Sequence, residues 1–356
     1  MIDHKATEDL RNKVKALLDQ GKIKYVIGWE LNDKKAHSSP LFVESEDELQ
    51  DLVVSEVYTP NVVVFINEEM AKVKAAEELY KRGKGEEPDR RPVGIVVRGC
   101  DGRSLAKLIQ ENMVPRDSVY IIGVPCKGVL DPRKARRVAG KKGKVTFEES
   151  NGKITLFVNG ENVEEMDKKD LLADKCLECT YPNPPVYDEL VREEEQETPA
   201  EAYGSKEFGD VEEMENKSGE EKGDFWEEQF SKCIRCYACR EVCPLCYCEE
   251  CAVDPTRLAL TPFTPAKEKA EKPGWITRAN ETSENTFYHL TRAMHLAGRC
   301  TGCGECERVC PVDIPLLLLM KKVEKDVKEM FRYTAGVSEG SLLSTVSEED
   351  PEDFIL

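Results

Sequence analysis

Two stretches of this chain, CIRCYACREVCP and CTGCGECERVCP, repeat one spacing, C-x2-C-x2-C-x3-C-P. The first three sulfurs of such a run wrap one face of a cubane. The fourth, set back by the longer gap and the proline, reaches the neighbouring cluster. The spacing therefore assigns Cys233, Cys236, Cys239 and Cys310 to one 4Fe-4S cluster, and Cys300, Cys303, Cys306 and Cys243 to a second. A structural zinc needs only four sulfurs and no duplicated run ending in proline. Any fold of this chain must then bring the two runs together.

The chain has 15 cysteines, and the seven outside these two sets follow the same logic. The start MIDHKATEDL has no apolar signal core, so a cytoplasmic protein with reduced thiols is expected and a disulfide framework is not. The longest apolar run, Ile314 to Met320, is interrupted by Pro315 and is far too short to cross a hydrocarbon layer of roughly 30 Å. With 51 basic and 69 acidic side chains the net charge is -18, which repels phosphate backbones and argues against nucleic acid.

The 356 residues fit two units better than one core. Residues 5 to 20 carry Leu10, Val14, Leu17 and Leu18 at helical spacing before Gly21. KIKYVIGWE and NVVVFI are strand-like, and RRPVGIVVRGCDGRSLAKLIQENMVPRDSVYIIGVPC reads as a βαβ unit. Its two parallel strands end at Cys100 and Cys126, where loops gather functional groups. Asn151-Gly152 and Asn159-Gly160 mark the turns of a small β-meander. The fold class expected is an α/β N-terminal domain with that meander, followed by a mainly α-helical dicluster ferredoxin domain.

The expected boundaries are an α/β domain at 1–190, an acidic linker at 191–228, a ferredoxin domain at 229–335 and a tail at 336–356. From Val191 to Asp224 the chain holds 13 acidic and 4 basic residues, half of the excess charge. Self-repulsion and few apolar anchors read as a linker or a partner-wrapping arm that does not order by itself. The helical pattern of Leu317, Leu318, Val323, Val327 and Phe331 is expected to pack beside the clusters. The 56 residues between Cys243 and Cys300 exceed the gap of a compact bacterial ferredoxin, and FYHLTRAMHLAGRC reads as a helix, so the frame resembles an α-helical ferredoxin.

Four further groups carry readings. Cys176 and Cys179 form a C-x2-C pair that two strand tips, Cys100 and Cys126, can join in a third cluster. Cys246, Cys248 and Cys251, in CPLCYCEEC, are either a further metal site or small packing residues. Residues 132 to 144 carry seven basic side chains, among them Arg133, Lys134 and Arg136, with no acid, and read as a solvated surface loop or a dock for an acidic partner. His289 and His295 read as packing or surface residues, since sulfur fills every cluster position.

VRGCDGRSLAKLI, IIGVPCKGVLD and KCLECTYPNPPVYDEL resemble segments of the beta subunits of deazaflavin-coenzyme hydrogenases and related formate dehydrogenases, over roughly residues 20 to 190. The resemblance implies a 4Fe-4S cluster on Cys100, Cys126, Cys176 and Cys179. The CIRCYACREVCPLCYCEEC run is similar to dicluster subunits found beside heterodisulfide-reductase-like flavoproteins in anaerobes. The family's flavin and deazaflavin site uses a Gly-Gly-x-Val-Thr segment. This chain has no Gly-Gly pair, which argues against FAD here.

No Gly-rich phosphate loop, nucleophile elbow or paired His-Glu motif nominates a substrate pocket. The expectation is an electron-transfer subunit of an anaerobic hetero-oligomer. Its implied partners are a hydrogenase or formate dehydrogenase type catalytic subunit and a heterodisulfide-reductase-like flavoprotein. The alternative is a flavin-binding catalytic subunit reducing a soluble deazaflavin or nicotinamide coenzyme. A third possibility is a scaffold stapled by redox-inert clusters.

Overall fold

A computed structural model describes residues 2–32, 37–57, 60–140, 143–150, 152–192, 197–248, 251, 276 and 280–339. Asn151 of the first expected turn, Lys141 and Lys142 of the basic stretch, residues 193–196 of the expected linker, most of the segment between the cysteine runs and the tail from 340 lie outside them. The described residues form two units, 2–209 with 336–339, and 210–335.

The first unit opens with helix α1 (His4–Asp19), whose N-terminus is capped by the Asp3 carboxylate accepting from the Ala6 N–H at 2.9 Å. Leu10, Val14 and Leu17 are buried along one face. Strands β1 (Val26–Asn32) and β2 (His37–Val43) pair antiparallel. The strand expected at NVVVFI is absent: helix α2 runs Val64–Lys81. The β-branched run favours a strand by propensity, but the adjoining NEEMAKVKAAEELYK is a long stretch of helix formers, and Ile66 is buried from within the helix.

Strand β3 (Val93–Val97), helix α3 (Gly99–Gln110) and strand β4 (Val119–Gly123) form a parallel βαβ unit, with Val97 opposite Gly123. Every residue of β3 is buried, as in a strand covered on both faces. Helix α4 (Pro132–Ala139) takes up much of the basic stretch. Asp131 caps its start by accepting from the Arg133 N–H, and Lys134 pairs with Asp174 at 2.6 Å.

Strands β5 (Val145–Ser150), β6 (Lys153–Val158) and β7 (Glu161–Asp167) form a separate antiparallel sheet. Its Ile154, Leu156 and Val158 pack with Leu130, Leu171 and Leu172. Short helices α5 (Lys168–Leu171) and α6 (Asp174–Leu177) come next. Strand β8 (Glu189–Leu190) completes a five-stranded sheet in the order β2-β1-β3-β4-β8, and helix α7 (Pro199–Ala202) lies beyond it.

The acidic segment is not the unstructured linker expected. Besides α7 it contains helices α8 (Gly209–Glu215) and α9 (Gly219–Ser231). Ser218 and Glu221 form a capping box at the start of α9, so part of the negative charge sits where a helix N-terminus favours it. Other acids meet lysines: Lys321 reaches Asp210 at 2.5 Å, and Lys325 reaches Glu215 at 2.6 Å.

Helices α10 (Ala238–Glu241), α11 (Thr282–His295), α12 (Glu305–Arg308) and α13 (Leu316–Phe331) complete the second unit. Helix α13 buries Leu316, Leu317, Leu319, Met320 and Val327. Among the described residues no helix is long and apolar enough to cross a membrane.

Candidate metal centres

The two cysteine runs fold as near copies. Each takes left-handed backbone at the second and fourth positions after its first cysteine: Arg235 (φ 53°) and Tyr237 (φ 61°) in one, Gly302 (φ 63°) and Gly304 (φ 70°) in the other. Each then enters a four-residue helix, α10 or α12, that carries the third cysteine. Alternating left-handed residues curl the chain so that successive N–H groups turn toward one point. The Arg235 N–H donates to Cys233 Sγ at 3.4 Å, and the Gly302 N–H does the same for Cys300. In the first run the strained residues are held from outside, since the Arg235 guanidinium lies 4.7 Å over the Tyr288 ring and donates to the Glu284 carbonyl.

Each fourth cysteine lies within electrostatic range of the other run, Cys310 of Cys233, and Cys243 of Cys300 and Cys306, as Cys239 also does of Cys306. The Ile314 N–H donates to Cys310 Sγ at 3.4 Å. Cys233, Cys239 and Cys306 are buried, Cys243, Cys300, Cys303 and Cys310 half-buried, and Cys236 exposed.

Helix α11 supplies much of the lining. Asn285 donates to the carbonyls of Phe230 (3.1 Å) and Cys233 (3.0 Å), fixing the entry into the first run. Tyr288 Oη is 3.7 Å from Cys239 Sγ, and His289 Nε2 is 3.4 Å from Cys233 Sγ. His289 stacks on Phe230 with ring centroids 4.9 Å apart. Burial, then the cations Arg292 and Arg235, push its pKa down to about 3, so the ring is neutral. His289 is thus a packing residue, as read from the sequence, but one that packs against a candidate ligand. The signal for it was available in the helical spacing of Tyr288, His289 and Arg292 ahead of the second run.

In the first unit, Cys100 opens α3 after β3, and Cys126 comes after β4, with the Val124 N–H bonded to the Val97 carbonyl at 2.8 Å. Cys176 lies on α6 and Cys179 just beyond it. The Gly128 N–H donates to Cys126 Sγ and the Val129 N–H to Cys176 Sγ, each at 3.4 Å. Cys126 lies within electrostatic range of Cys100, Cys176 and Cys179. Burial pushes the Cys176 thiol up to about 12 and that of Cys100 well above its ordinary value.

Buried sulfurs with N–H donors aimed at them and few countercharges suit a site whose charge is balanced by iron. The cations that act on these sulfurs include Arg98, buried and acted on by Cys126, Cys100 and Cys176, the buried Arg103, and Lys175. Among the described residues no three His, Cys, Asp or Glu side chains close around a single metal ion. A cubane is a wider cage, with one thiolate on each of four irons.

Cys246, Cys248 and Cys251 line one cleft with Arg240, Arg292, His295 and Arg299. Cys246 is hydrogen-bonded to Cys243, which is the largest cause of its lowered pKa.

Residues 229–314 match the family described as a 4Fe-4S dicluster domain. Over 296 residues the chain is 24% identical to the F420-dependent formate dehydrogenase subunit beta of Methanocaldococcus jannaschii, covering 69% of this chain and 74% of that one. The F420-dependent formate dehydrogenase 1 subunit beta of Methanococcus maripaludis is 23% identical over 302 residues, covering 69% and 73%. The chain is thus similar to these beta subunits and matches a dicluster 4Fe-4S domain over residues 229–314.

A solved chain of the F420-reducing [NiFe] hydrogenase complex from Methanosarcina barkeri aligns at 17% identity, with a TM-score of 0.31. That alignment covers 50% of this chain and 58% of the other. The dicluster match spans both cysteine runs and helix α11.

Proposed function

We propose that this chain relays single electrons through three 4Fe-4S clusters between a flavoprotein and a catalytic subunit of formate dehydrogenase or hydrogenase type. Cys233, Cys236, Cys239 and Cys310 hold one cluster; Cys300, Cys303, Cys306 and Cys243 hold the second; Cys100, Cys126, Cys176 and Cys179 hold the third. The observation that supports this reading is the matched folding of the two cysteine runs, with left-handed backbone at Arg235 and Tyr237 and again at Gly302 and Gly304, each run then entering a short helix that carries its third cysteine. When bound, such clusters accept and release one electron each, at potentials set by hydrogen bonds, charge and solvent exposure.

The protein's own residues supply the surroundings. N–H donors at Cys233, Cys310, Cys126 and Cys176 stabilise the more negative reduced states. Phe230 and Tyr288 are buried beside the first run, Tyr288 against Cys239, while Cys236 stays exposed. The relatives are named as subunits of F420-dependent formate dehydrogenases, which supports a place in a complex of that kind.

Anaerobically purified protein tests the reading. About 12 iron atoms per chain and three separable reduced-state signals are expected. Colourless protein, silent after dithionite, would end it. A count clearly above 12 would extend iron binding to Cys246, Cys248 and Cys251. A flavin band that survives desalting, together with deazaflavin turnover by the isolated chain, would replace the relay with the catalytic alternative.

A further inference from the structure

Arg292, on helix α11, is 2% exposed. Its Nη2 donates to the Cys239 carbonyl oxygen at 2.9 Å. Its Nε and Nη1 are buried and make no hydrogen bond of ordinary geometry with any described residue, although Cys246 is near enough to feel the cation. A guanidinium placed this way needs negative charge close by, because burial alone strongly disfavours it.

The negative groups around it are sulfurs. Burial opposes its charge, while Cys306, Cys243, Cys246 and Cys239 favour it. Cys239 belongs to the first proposed cluster, and Cys243 and Cys306 belong to the second. One buried cation thus holds the backbone of the first run at Cys239 and lies within electrostatic range of ligands of both centres.

We propose that the Arg292 guanidinium is a shared countercharge of the two clusters, a positioning residue that raises both reduction potentials together. This rests on the cluster reading above. Each one-electron reduction adds one negative charge to a centre, and a cation held nearby in a poorly screened interior lowers the energy of that charge. Arg292 holds no iron; it acts through Cys239, Cys243 and Cys306. A guanidinium suits the task better than an ammonium, since it stays charged when buried and is less strongly hydrated.

The test is a redox titration of the full chain, monitored by electron paramagnetic resonance, with iron counted on the same samples. In Arg292→Met both dicluster signals should titrate at more negative potential. At the potential where each wild-type centre is half reduced, its reduced-to-oxidised ratio should fall about tenfold. Arg292→Lys should recover most of the shift. Full iron with unchanged potentials would overturn the inference, and so would a shift in one dicluster centre alone.

If Arg292→Met binds less iron, Arg292→Lys and Arg292→Gln carry the comparison, since one keeps the charge and the other does not. Equal potentials in those two, or loss of iron from both, would make Arg292 a structural residue and overturn the inference. Wild-type protein lacking the two dicluster signals would instead sink the cluster reading itself.

Discussion

His289 Nε2 lies 3.4 Å from Cys233 Sγ, and its other ring nitrogen, Nδ1, is buried without a partner among the described residues. A neutral ring with one hydrogen must place it on the nitrogen that has an acceptor, so His289 donates to the sulfur. Hydrogen bonds to charged groups contribute more than neutral ones, and a reduced cluster loads more charge onto its ligands. His289→Leu should therefore keep its iron and lower the potential of the first dicluster centre by the equivalent of about 1 kcal/mol. A redox titration reads this directly, and an unchanged midpoint would remove the hydrogen bond from the account.

Gly99 stands where no side chain fits. A Cβ there would lie 1.8 Å from the Tyr181 carbonyl oxygen, which is backbone and cannot swing aside. Cys179 Sγ is 3.7 Å from that same oxygen, so moving Tyr181 moves a proposed ligand. Gly99→Ala is expected to lose the first-unit centre while both dicluster signals persist. Full retention of all three signals would show that the loop yields without disturbing Cys179.

Cys176→Ala removes one of four gathered sulfurs and leaves Val129 N–H without its acceptor. One signal of three should vanish, and the iron count should fall by about four. Loss of no signal would take Cys100, Cys126, Cys176 and Cys179 out of the metal-binding account together.

The cysteine spacing made both runs legible because a cubane imposes a strict geometry on its ligands, and the βαβ unit was readable as an apolar run, a helical stretch and a second apolar run. Two things were hidden for physical reasons. NVVVFI looked like a strand because β-branched propensity is local, whereas the helix Val64–Lys81 is decided by the helix formers C-terminal to that run and by the burial of Ile66. The acidic segment looked unable to order because its countercharges, Lys321, Lys322 and Lys325, lie about a hundred residues later in sequence. Arg292 belongs to the same class. Its place between sulfurs of both runs is a tertiary fact with only a helical spacing to announce it.

Glu69, Lys24 and Tyr25 form a buried polar group in the first unit. Lys24 Nζ is 2.5 Å from Glu69 Oε1, and Tyr25 donates to Oε2 at 2.7 Å. Burial by itself would raise the carboxyl pKa, but the hydrogen bonds from Lys24 and Tyr25 outweigh it and hold the group below its usual value of 4.5. A depressed folded-state pKa means that stability is fully present above the unfolded value. It is lost as pH falls below that value and through the lower folded one. Glu69→Gln should destabilise the chain by about 1.5–3 kcal/mol near neutrality and flatten its acid limb in this window. Denaturant unfolding at pH 7 and at pH 4 checks both, and an equal penalty at the two pH values would rule the pair out as an acid-sensitive element.

The ordering of α8 depends on charge partners contributed by α13. Asp210 meets Lys321, while Glu215 meets Lys322 at 3.0 Å and Lys325 at 2.6 Å. Hydrogen bonds from Lys325 and then Lys322 hold the Glu215 carboxyl below its ordinary value. Lys321→Ala combined with Lys325→Ala would take Lys321 from Asp210 and leave Glu215 with Lys322 in place of two lysines, with only Val211 buried on α8 to anchor it. Such a segment should revert toward the open linker that its composition favours. Limited proteolysis is expected to cut between residues 205 and 218 in the double variant and to spare the wild type at low salt. Added salt should move the wild type toward the variant's pattern, because these pairs are partly exposed and screened. Equal resistance of both proteins would show that capping and apolar contacts suffice to order the helix.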